Sequence, residues 1–286
     1  MQITIFTPTY NRAYILPRLF QSLKGQKATN FEWLIVDDGS SDDTEIVVNE
    51  FIKDADFKIR YYKQNNQGKH IALNFAALNA EGEWIITIDS DDFIADNCLQ
   101  VCQNLIGEIE AKKDFAGFTF LWAPENLDKD YKDYGSKKWI NNEKYEWKFT
   151  GEMNFVFKKK ILQHHPFPVI KSEKFCQESV QINSILRNYK ILYTDHILAF
   201  GEYLEDGLSQ NLYQRLLDNP NYAMLALRMK LLVAKTENEK KELTKSFWDI
   251  VLKSRRIPMM KALKGLPCIW TIKVFKDKIL KKIGNR

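Results

Sequence analysis

Between residues 3 and 92, short apolar runs alternate with stretches of helical period, and each run ends in a polar cluster. Residues 3–6, Ile-Thr-Ile-Phe, are closed by Thr7-Pro8-Thr9 and read as a strand running into a turn. Residues 13–25 place Ile15, Leu16, Leu19, Phe20 and Leu23 at helical spacing, and Gly25 suits the end of that helix. Residues 31–36 form a second strand, stopped by Asp37-Asp38-Gly39-Ser40-Ser41. A helix over 42–53, a strand over 58–62, a helix over 69–80 and a strand over 84–88 continue the pattern, which ends at Asp89. Strands alternating with helices of about a dozen residues predict a parallel sheet covered on both faces. Open sheets of this kind bind ligands at the carboxyl ends of their strands. The clusters at 7–11, 37–41 and 89–92 all lie at such ends, so they are expected to converge on one edge.

Farther along, residues 115–121 and 153–157 read as strands of a second half. Between them, 122–150 is rich in Lys, Asp, Asn and Trp and reads as a long loop over the site. Residues 174–189 read as helix, and the chain after Tyr193 as helix-rich. From about 211 the pattern is helical throughout, broken at Pro220, Pro258 and Pro267.

The N-terminus, Met1-Gln2-Ile3-Thr4-Ile5-Phe6, has neither the basic nor the long apolar region of a signal peptide. No run of eighteen apolar residues exists to span a bilayer. Cys98, Cys102, Cys176 and Cys268 lack zinc-type pairing and are expected as buried thiols in a reducing compartment. The net charge of +5 is unevenly spread: residues 235–286 carry 15 Lys/Arg against 5 Asp/Glu, whereas 1–234 carry 27 against 32. An acidic body with a basic tail argues against a general nucleic-acid binder. It points to a local anionic partner for the tail, such as a membrane surface.

Asp89-Ser90-Asp91-Asp92 brings three carboxylates together at a strand end, where mutual repulsion calls for a cation or hydrogen-bond donors. Mg²⁺ or Mn²⁺ shared with substrate phosphates is the usual partner of such a group. The alternative is a solvated turn, with Asp91 or Asp92 capping the helix whose apolar period starts near Leu99. The position directly behind the apolar strand favours the metal reading. At 37–41 a carboxylate suits hydrogen bonds from a base or ribose, and an Asx-type turn with Gly39 at positive φ suits the same residues. Lys69, near a helix N-terminus, fits a phosphate contact and fits a surface lysine equally well. His70 reads as a packed or capping histidine, and His164-His165 as loop.

Three motifs carry a family resemblance. They are Thr7-Pro8-Thr9-Tyr10-Asn11-Arg12, Val36-Asp37-Asp38-Gly39-Ser40-Ser41-Asp42-Asp43-Thr44, and Asn79-Ala80-Glu81-Gly82-Glu83 leading into Asp89-Ser90-Asp91-Asp92. In order, spacing and strand context the chain resembles the family 2 glycosyltransferases, most closely over 1–100, less closely to about 210, and not beyond. The resemblance implies a GT-A fold: a Rossmann-like mixed α/β sheet flanked by helices. It also implies a nucleotide-diphospho-sugar donor, a divalent metal (Mn or Mg) and transfer with inversion. The organisation it implies is a catalytic domain over 1–210, with a nucleotide-binding half at 1–100 and an acceptor half at 101–210, followed by a basic helical extension over 211–286.

Carried over residue by residue, Thr7, Pro8 and Tyr10 line the nucleotide, Asp38 reads the base, expected as uracil, and Lys69 meets phosphate. Asp89 contacts the ribose or the metal, and Asp91 is the main metal ligand, with Asp92 its competitor. An inverting reaction needs a base for the acceptor hydroxyl. The family's Glu-Asp pair corresponds to Gln177-Glu178 here, which makes Glu178 the expected base, with Glu173 and Glu152 as alternatives. Residues 202–211 resemble a stretch in a bacterial branch of the family and are a candidate lid. The tail over 245–286, aromatic and aliphatic among lysines, fits either an anionic membrane surface or a helical cap packed on the catalytic domain. The expected partners are therefore a nucleotide-sugar donor and a glycan or lipid-linked acceptor, without nucleic acid. The expected location is cytoplasmic, at the inner face of the cell membrane if the tail binds lipid. A nucleotidyltransferase would want a Gly-rich basic loop after the first strand, and a non-catalytic nucleotide-sugar binder would lack the acids of 89–92.

Overall fold

A computed structural model describes residues 2–28, 30–125, 138–140, 152–204, 207, 210–264 and 271–272. Met1–Phe167 with Ile185–Gly207 form one compact unit, and Pro168–Ser184 with Leu208–Arg286 form another.

The first unit opens with the alternation expected: β1 (Ile3–Thr9), α1 (Leu16–Lys24), β2 (Phe31–Asp37), α2 (Thr44–Asp54), β3 (Lys58–Lys63), α3 (Lys69–Asn79) and β4 (Trp84–Thr87). The four strands are parallel in the order β3-β2-β1-β4. Every residue of β1 and β2 is buried, as befits strands covered on both faces. The expected turn at Thr7-Pro8-Thr9 is not there: the strand runs on, pairing Thr7 with Ile35, Pro8 with Val36 and Thr9 with Asp37. Burial of Thr7 is tolerated because the Trp33 indole N–H donates to its Oγ1 at 2.9 Å.

The sheet then turns mixed. β5 (Asp92–Ile94), α4 (Cys98–Ile109), β6 (Phe115–Pro124), β7 (Lys138–Ile140), β8 (Glu152–Lys158), α5 (Lys159–His164), α6 (Ser179–Leu186), β9 (Lys190–Tyr193) and β10 (Ile197–Gly201) follow. β8 lies antiparallel between β4 and β6, and β10 runs parallel to β6 and antiparallel to β5. Three expectations are corrected. Trp122 belongs to β6 rather than to a loop, and residues 138–140 form a strand against β9. The rest of the expected loop, 126–137 and 141–150, lies outside the described residues. The helix expected over 174–189 is only Ser179–Leu186, because the Lys174 and Phe175 N–H groups donate instead to Asn219 Oδ1 at 2.7 and 3.1 Å. A strand, β10, precedes the helices after Tyr193, with Leu198 and Ala199 buried in the sheet.

The core under β1 and β2 is aromatic. Phe20 of α1 stacks on Phe51 of α2 with ring centroids 4.2 Å apart, and Trp33 joins them. Burying a side chain of this size contributes about 1.5–3 kcal/mol. Cys98 and Cys102 sit in the same core, and with Cys176 they are buried free thiols; Cys268 lies outside the described residues.

In the second unit α7 (Leu212–Asp218), α8 (Pro220–Val233), α9 (Glu237–Ser254) and α10 (Met259–Leu263) follow one another. Pro220 opens α8 and Pro258 caps α10, where they cost no helical hydrogen bond. Pro267 lies outside the described residues. A capping box between Thr236 and Glu239 starts α9, a break the prolines did not announce. Met224, Phe247, Trp248, Val251, Ile257 and Ala262 pack together. Buried Glu173 accepts from Asn221 N, Asn221 Nδ2 and Tyr222 N at 2.9, 2.7 and 2.9 Å, so its carboxylate caps α8. Among the described residues no helix is long and apolar enough to cross a membrane.

Candidate functional site

Parallel pairing with Thr9 opposite Asp37 puts the ends of β1 and β2 at one level, and the loops beyond them are laced together. Asn11, at φ 53°, donates its N–H to Ser40 Oγ and accepts from Ser41 N through Oδ1, both at 2.8 Å. Ala13 N donates to Asp42 Oδ2 at 3.0 Å. Three hydrogen bonds, from Thr44 N, Thr44 Oγ1 and Ala13 N, hold Asp42 below the usual carboxylate range although partial burial opposes them. The Asx-type turn is present. Asp37 Oδ1 accepts from Ser40 N at 2.7 Å, and Gly39 takes φ +88°, where a Cβ would also meet Asn66 N at 3.1 Å.

Asp38 serves the next loop. Its Oδ1 accepts from Gln64 Nε2 and Gln67 N at 2.8 Å each, and its Oδ2 accepts from Gly68 N at 2.7 Å. That loop delivers Lys69, the first residue of α3, whose Nζ stands 2.7 Å from Asp89 Oδ1. Lys69 therefore faces the acidic cluster rather than open solvent. His70 is buried against Phe167, and burial pushes its pKa down to about 4. It is a packed histidine, as its context suggested.

The three acids do converge. Asp89, Asp91 and Asp92 each offer a carboxylate oxygen, and these oxygens lie within 4.8 Å of one another. The capping alternative fails, since Asp92 is in β5 and the N-cap of α4 is Asn97. Asp92 Oδ1 accepts from the Trp122 indole N–H at 2.7 Å. Gly201 lies opposite Asp92 on β10, and a Cβ there would sit 2.3 Å from Asp92 Oδ1 and 2.9 Å from Trp122 Nε1. Burial and the charge of Asp89 push Asp92 up to about 8, against the lowering effect of the Trp122 bond. The same two causes, in the same order, raise Asp91. A hard divalent cation bound by oxygen ligands fits this group: it would relieve the repulsion that now favours protonation.

The other expected site residues divide by burial. Thr7 is fully buried with its hydroxyl committed to Trp33, so it supports the strand end from within the core. Tyr10 is 48% exposed one residue beyond β1. Thr9 was not singled out from the sequence, yet its hydroxyl is buried and, among the described residues, has no hydrogen-bond partner. Glu178 is exposed in the second unit, just before α6. Glu173 is occupied as a helix cap, which removes it as a base. Glu152 is exposed and accepts from the Tyr203 hydroxyl at 2.8 Å. In the candidate lid, 205–206 and 208–209 lie outside the described residues, as do 265–270 and 273–286 of the tail.

Sequence reading missed Trp122 and Gly201. Trp122 continues the apolar run of 115–121, and β6 ends three residues beyond the expected strand, at Pro124. Gly201 is an isolated glycine at a strand end, a usual sign of close backbone approach.

Comparison with known proteins follows the same lines. The model of a family described as Glycosyl transferase family 2 matches residues 4–175, more than half of the chain. The GalNAc(5)-diNAcBac-PP-undecaprenol beta-1,3-glucosyltransferase of Campylobacter jejuni is 27% identical over 226 residues, covering 74% of this chain and 70% of that protein. The crystal structure of S. aureus TarS 1-349 in complex with UDP-GlcNAc superposes with a TM-score of 0.59 at 18% identity, covering 93% of this chain and 82% of that one. The mannosyltransferase PcManGT from Pyrobaculum calidifontis, in complex with GDP-Man and Mn²⁺, gives 0.58 at 15% identity, covering 91% and 77%. At these identities the structural likeness concerns the fold, a mixed sheet with flanking helices.

Proposed function

The chain belongs to glycosyl transferase family 2, and from that premise we propose that it is an inverting, metal-dependent glycosyltransferase using a UDP-sugar and a glycan or lipid-linked acceptor. The observation that carries this reading is the convergence of Asp89, Asp91 and Asp92 at the carboxyl edge of the parallel strands. A divalent ion, Mn²⁺ or Mg²⁺, would neutralise charge on the departing diphosphate. Asp91 and Asp89 are the assigned ligands; Asp92 has one oxygen engaged by Trp122. Tyr10, with Pro8 behind it, is assigned to the nucleotide, Asp38 to the base and Lys69 to phosphate; Thr7 supports that strand end from within the core. The base assignment of Asp38 rests on its motif; its carboxylate also holds the loop that leads into Lys69. Uridine is the preferred base because a TarS structure of this fold holds UDP-GlcNAc. The lipid-linked acceptor takes its support from the undecaprenol in the Campylobacter relative's name.

Glu178 is assigned as the base on its motif. It would take the proton from the acceptor hydroxyl while that oxygen bonds to the anomeric carbon and the diphosphate leaves with the electrons of the broken C–O bond. The location we assign is the cytoplasmic face of the membrane. Residues 252–264 support it: Leu252, Met259, Met260 and Leu263 are exposed, Lys253, Arg255, Arg256, Lys261 and Lys264 are exposed among them, and no acid intervenes.

The test is product stereochemistry. Incubation with Mn²⁺, a panel of α-linked UDP-sugars and 4-nitrophenyl glycoside acceptors should yield a β-linked product by NMR, and Glu178→Gln should abolish it. An α-linked product would overturn inversion, and full activity in Glu178→Gln would overturn the base assignment.

A further inference from the structure

One aromatic group in the first unit has no part in the chemistry above. Tyr203 is 61% exposed, yet it is fixed at both ends. Its ring meets the edge of Trp122, with centroids 5.2 Å apart and planes at 62°, and its hydroxyl donates to Glu152 Oε1 at 2.8 Å. Trp122 and Glu152 are themselves cross-strand partners on β6 and β8. The Trp122 indole N–H is spent on Asp92, which sets the aromatic pair beside the carboxylate group. The neighbouring Glu202 is drawn to Arg18 at 3.4 Å, which further restrains the backbone there.

Scattered exposed apolar side chains are ordinary on a protein surface and need no explanation. This one differs in being held at both its ring and its hydroxyl and in joining a strand-end carboxylate through a single intervening side chain. A ring already fixed in place loses little conformational freedom when it binds something. Its apolar face, with a carboxylate at its hydroxyl edge, complements one class of ligand well. A pyranose presents a face of C–H groups for the ring and a rim of hydroxyls for the carboxylate.

We propose that Tyr203, backed by Trp122 and held by Glu152, is a platform for a pyranose ring beside the acidic group. The inference rests on the proposed function, which brings two sugars to this site, one on the donor and one on the acceptor. Glu152 then acts as a sugar ligand and as the holder of Tyr203 rather than as the base.

The test uses the full chain with Mn²⁺ and the variants Tyr203→Ala and Tyr203→Phe; exposure of the ring makes both tolerable to the fold. UDP and the UDP-sugar that the wild-type protein hydrolyses fastest are titrated by calorimetry, and acceptor KM is measured with 4-nitrophenyl glycosides. If the platform holds the donor sugar, Tyr203→Ala weakens UDP-sugar by about tenfold and leaves UDP unchanged. If it holds the acceptor sugar, both donor affinities stay and acceptor KM rises by about tenfold with little change in kcat. Either result supports the platform, provided that Tyr203→Phe, which keeps the ring, stays close to wild type. It is overturned if UDP itself weakens equally, if nothing changes, or if Tyr203→Phe behaves like Tyr203→Ala. A wild-type protein that binds neither UDP nor any UDP-sugar overturns the proposed function instead, and is recognised by that.

Discussion

The ammonium of Lys69 stands 2.7 Å from one oxygen of Asp89 and 2.9 Å from the other, at the edge of the three-carboxylate group. It supplies one positive charge where three carboxylates meet. Removing it should therefore move two affinities in opposite directions. In Lys69→Met, Mn²⁺ alone should bind several-fold more tightly, because its site becomes more negative. UDP at saturating Mn²⁺ should bind about tenfold more weakly, because a phosphate contact is gone. Calorimetry reads both; a variant that weakens metal and nucleotide alike would argue that Lys69 only shapes the loop.

Gly201 leaves the space that the Asp92 carboxylate and the Trp122 indole occupy. Gly201→Ala should destabilise the protein by about 1–3 kcal/mol, since its Cβ meets a strand-bound group that has little room to yield. Metal-dependent UDP release should fall with it. Gly107, inside α4 with nothing within 4 Å of its Cβ position, is the matched control. Gly107→Ala should gain about 0.5–1 kcal/mol and leave activity unchanged. Equal melting temperatures for the two variants would contradict the packing described.

Stability should depend on pH through Asp92. Its carboxyl is pushed up to about 8 when folded, against about 3.9 in an unfolded chain. The folded state therefore holds a proton that the unfolded state has lost. Stability is greatest below the unfolded value and falls as pH climbs toward about 8. His70, held down at about 4 by burial, acts in the opposite sense, and its contribution is lost as pH falls from about 6.5 to 4. Above about 7.5 His70 is neutral in both states, so that window isolates the acids. There the melting temperature of metal-free protein should fall with rising pH, and Asp92→Asn should flatten the fall. A wild-type curve that rises across this window would contradict the reading.

Much of the first unit could be read from its apolar runs, because β1 to β4 and α1 to α3 are local elements with clean periodicity. The acids at 89–92 were legible for the same reason: a crowded turn behind a buried strand stands out. What escaped depends on distant pairing. Trp122 meets Asp92 across thirty positions, and Gly201 faces Asp92 only because β10 returns antiparallel to β5. Glu173 looked like a spare carboxylate until Asn221 and Tyr222 claimed it from 48 and 49 positions away. Thr7 carried a motif yet serves the core through Trp33. Sequence patterns report which residues want burial or a turn; they do not report which of them will meet across a sheet.

The exposed surface of residues 252–264 should be recognised by anionic lipid. Vesicles containing phosphatidylglycerol should carry the protein in flotation, and vesicles of phosphatidylcholine alone should not. Arg255→Asn with Lys264→Gln and Met260→Ser should release it; Asn tolerates the φ of +54° that Arg255 adopts. Flotation that ignores lipid charge, or that survives the triple substitution, would contradict a lipid-facing role.

The most direct measurement is a calorimetric titration of UDP into the wild-type protein and into Asp91→Asn, each with and without Mn²⁺. The wild-type protein should bind UDP at least tenfold more tightly with Mn²⁺ than without it, and Asp91→Asn should lose that difference. UDP affinity that is the same with and without metal, or a metal effect that survives in Asp91→Asn, would contradict a metal-assisted nucleotide-sugar site at Asp89, Asp91 and Asp92.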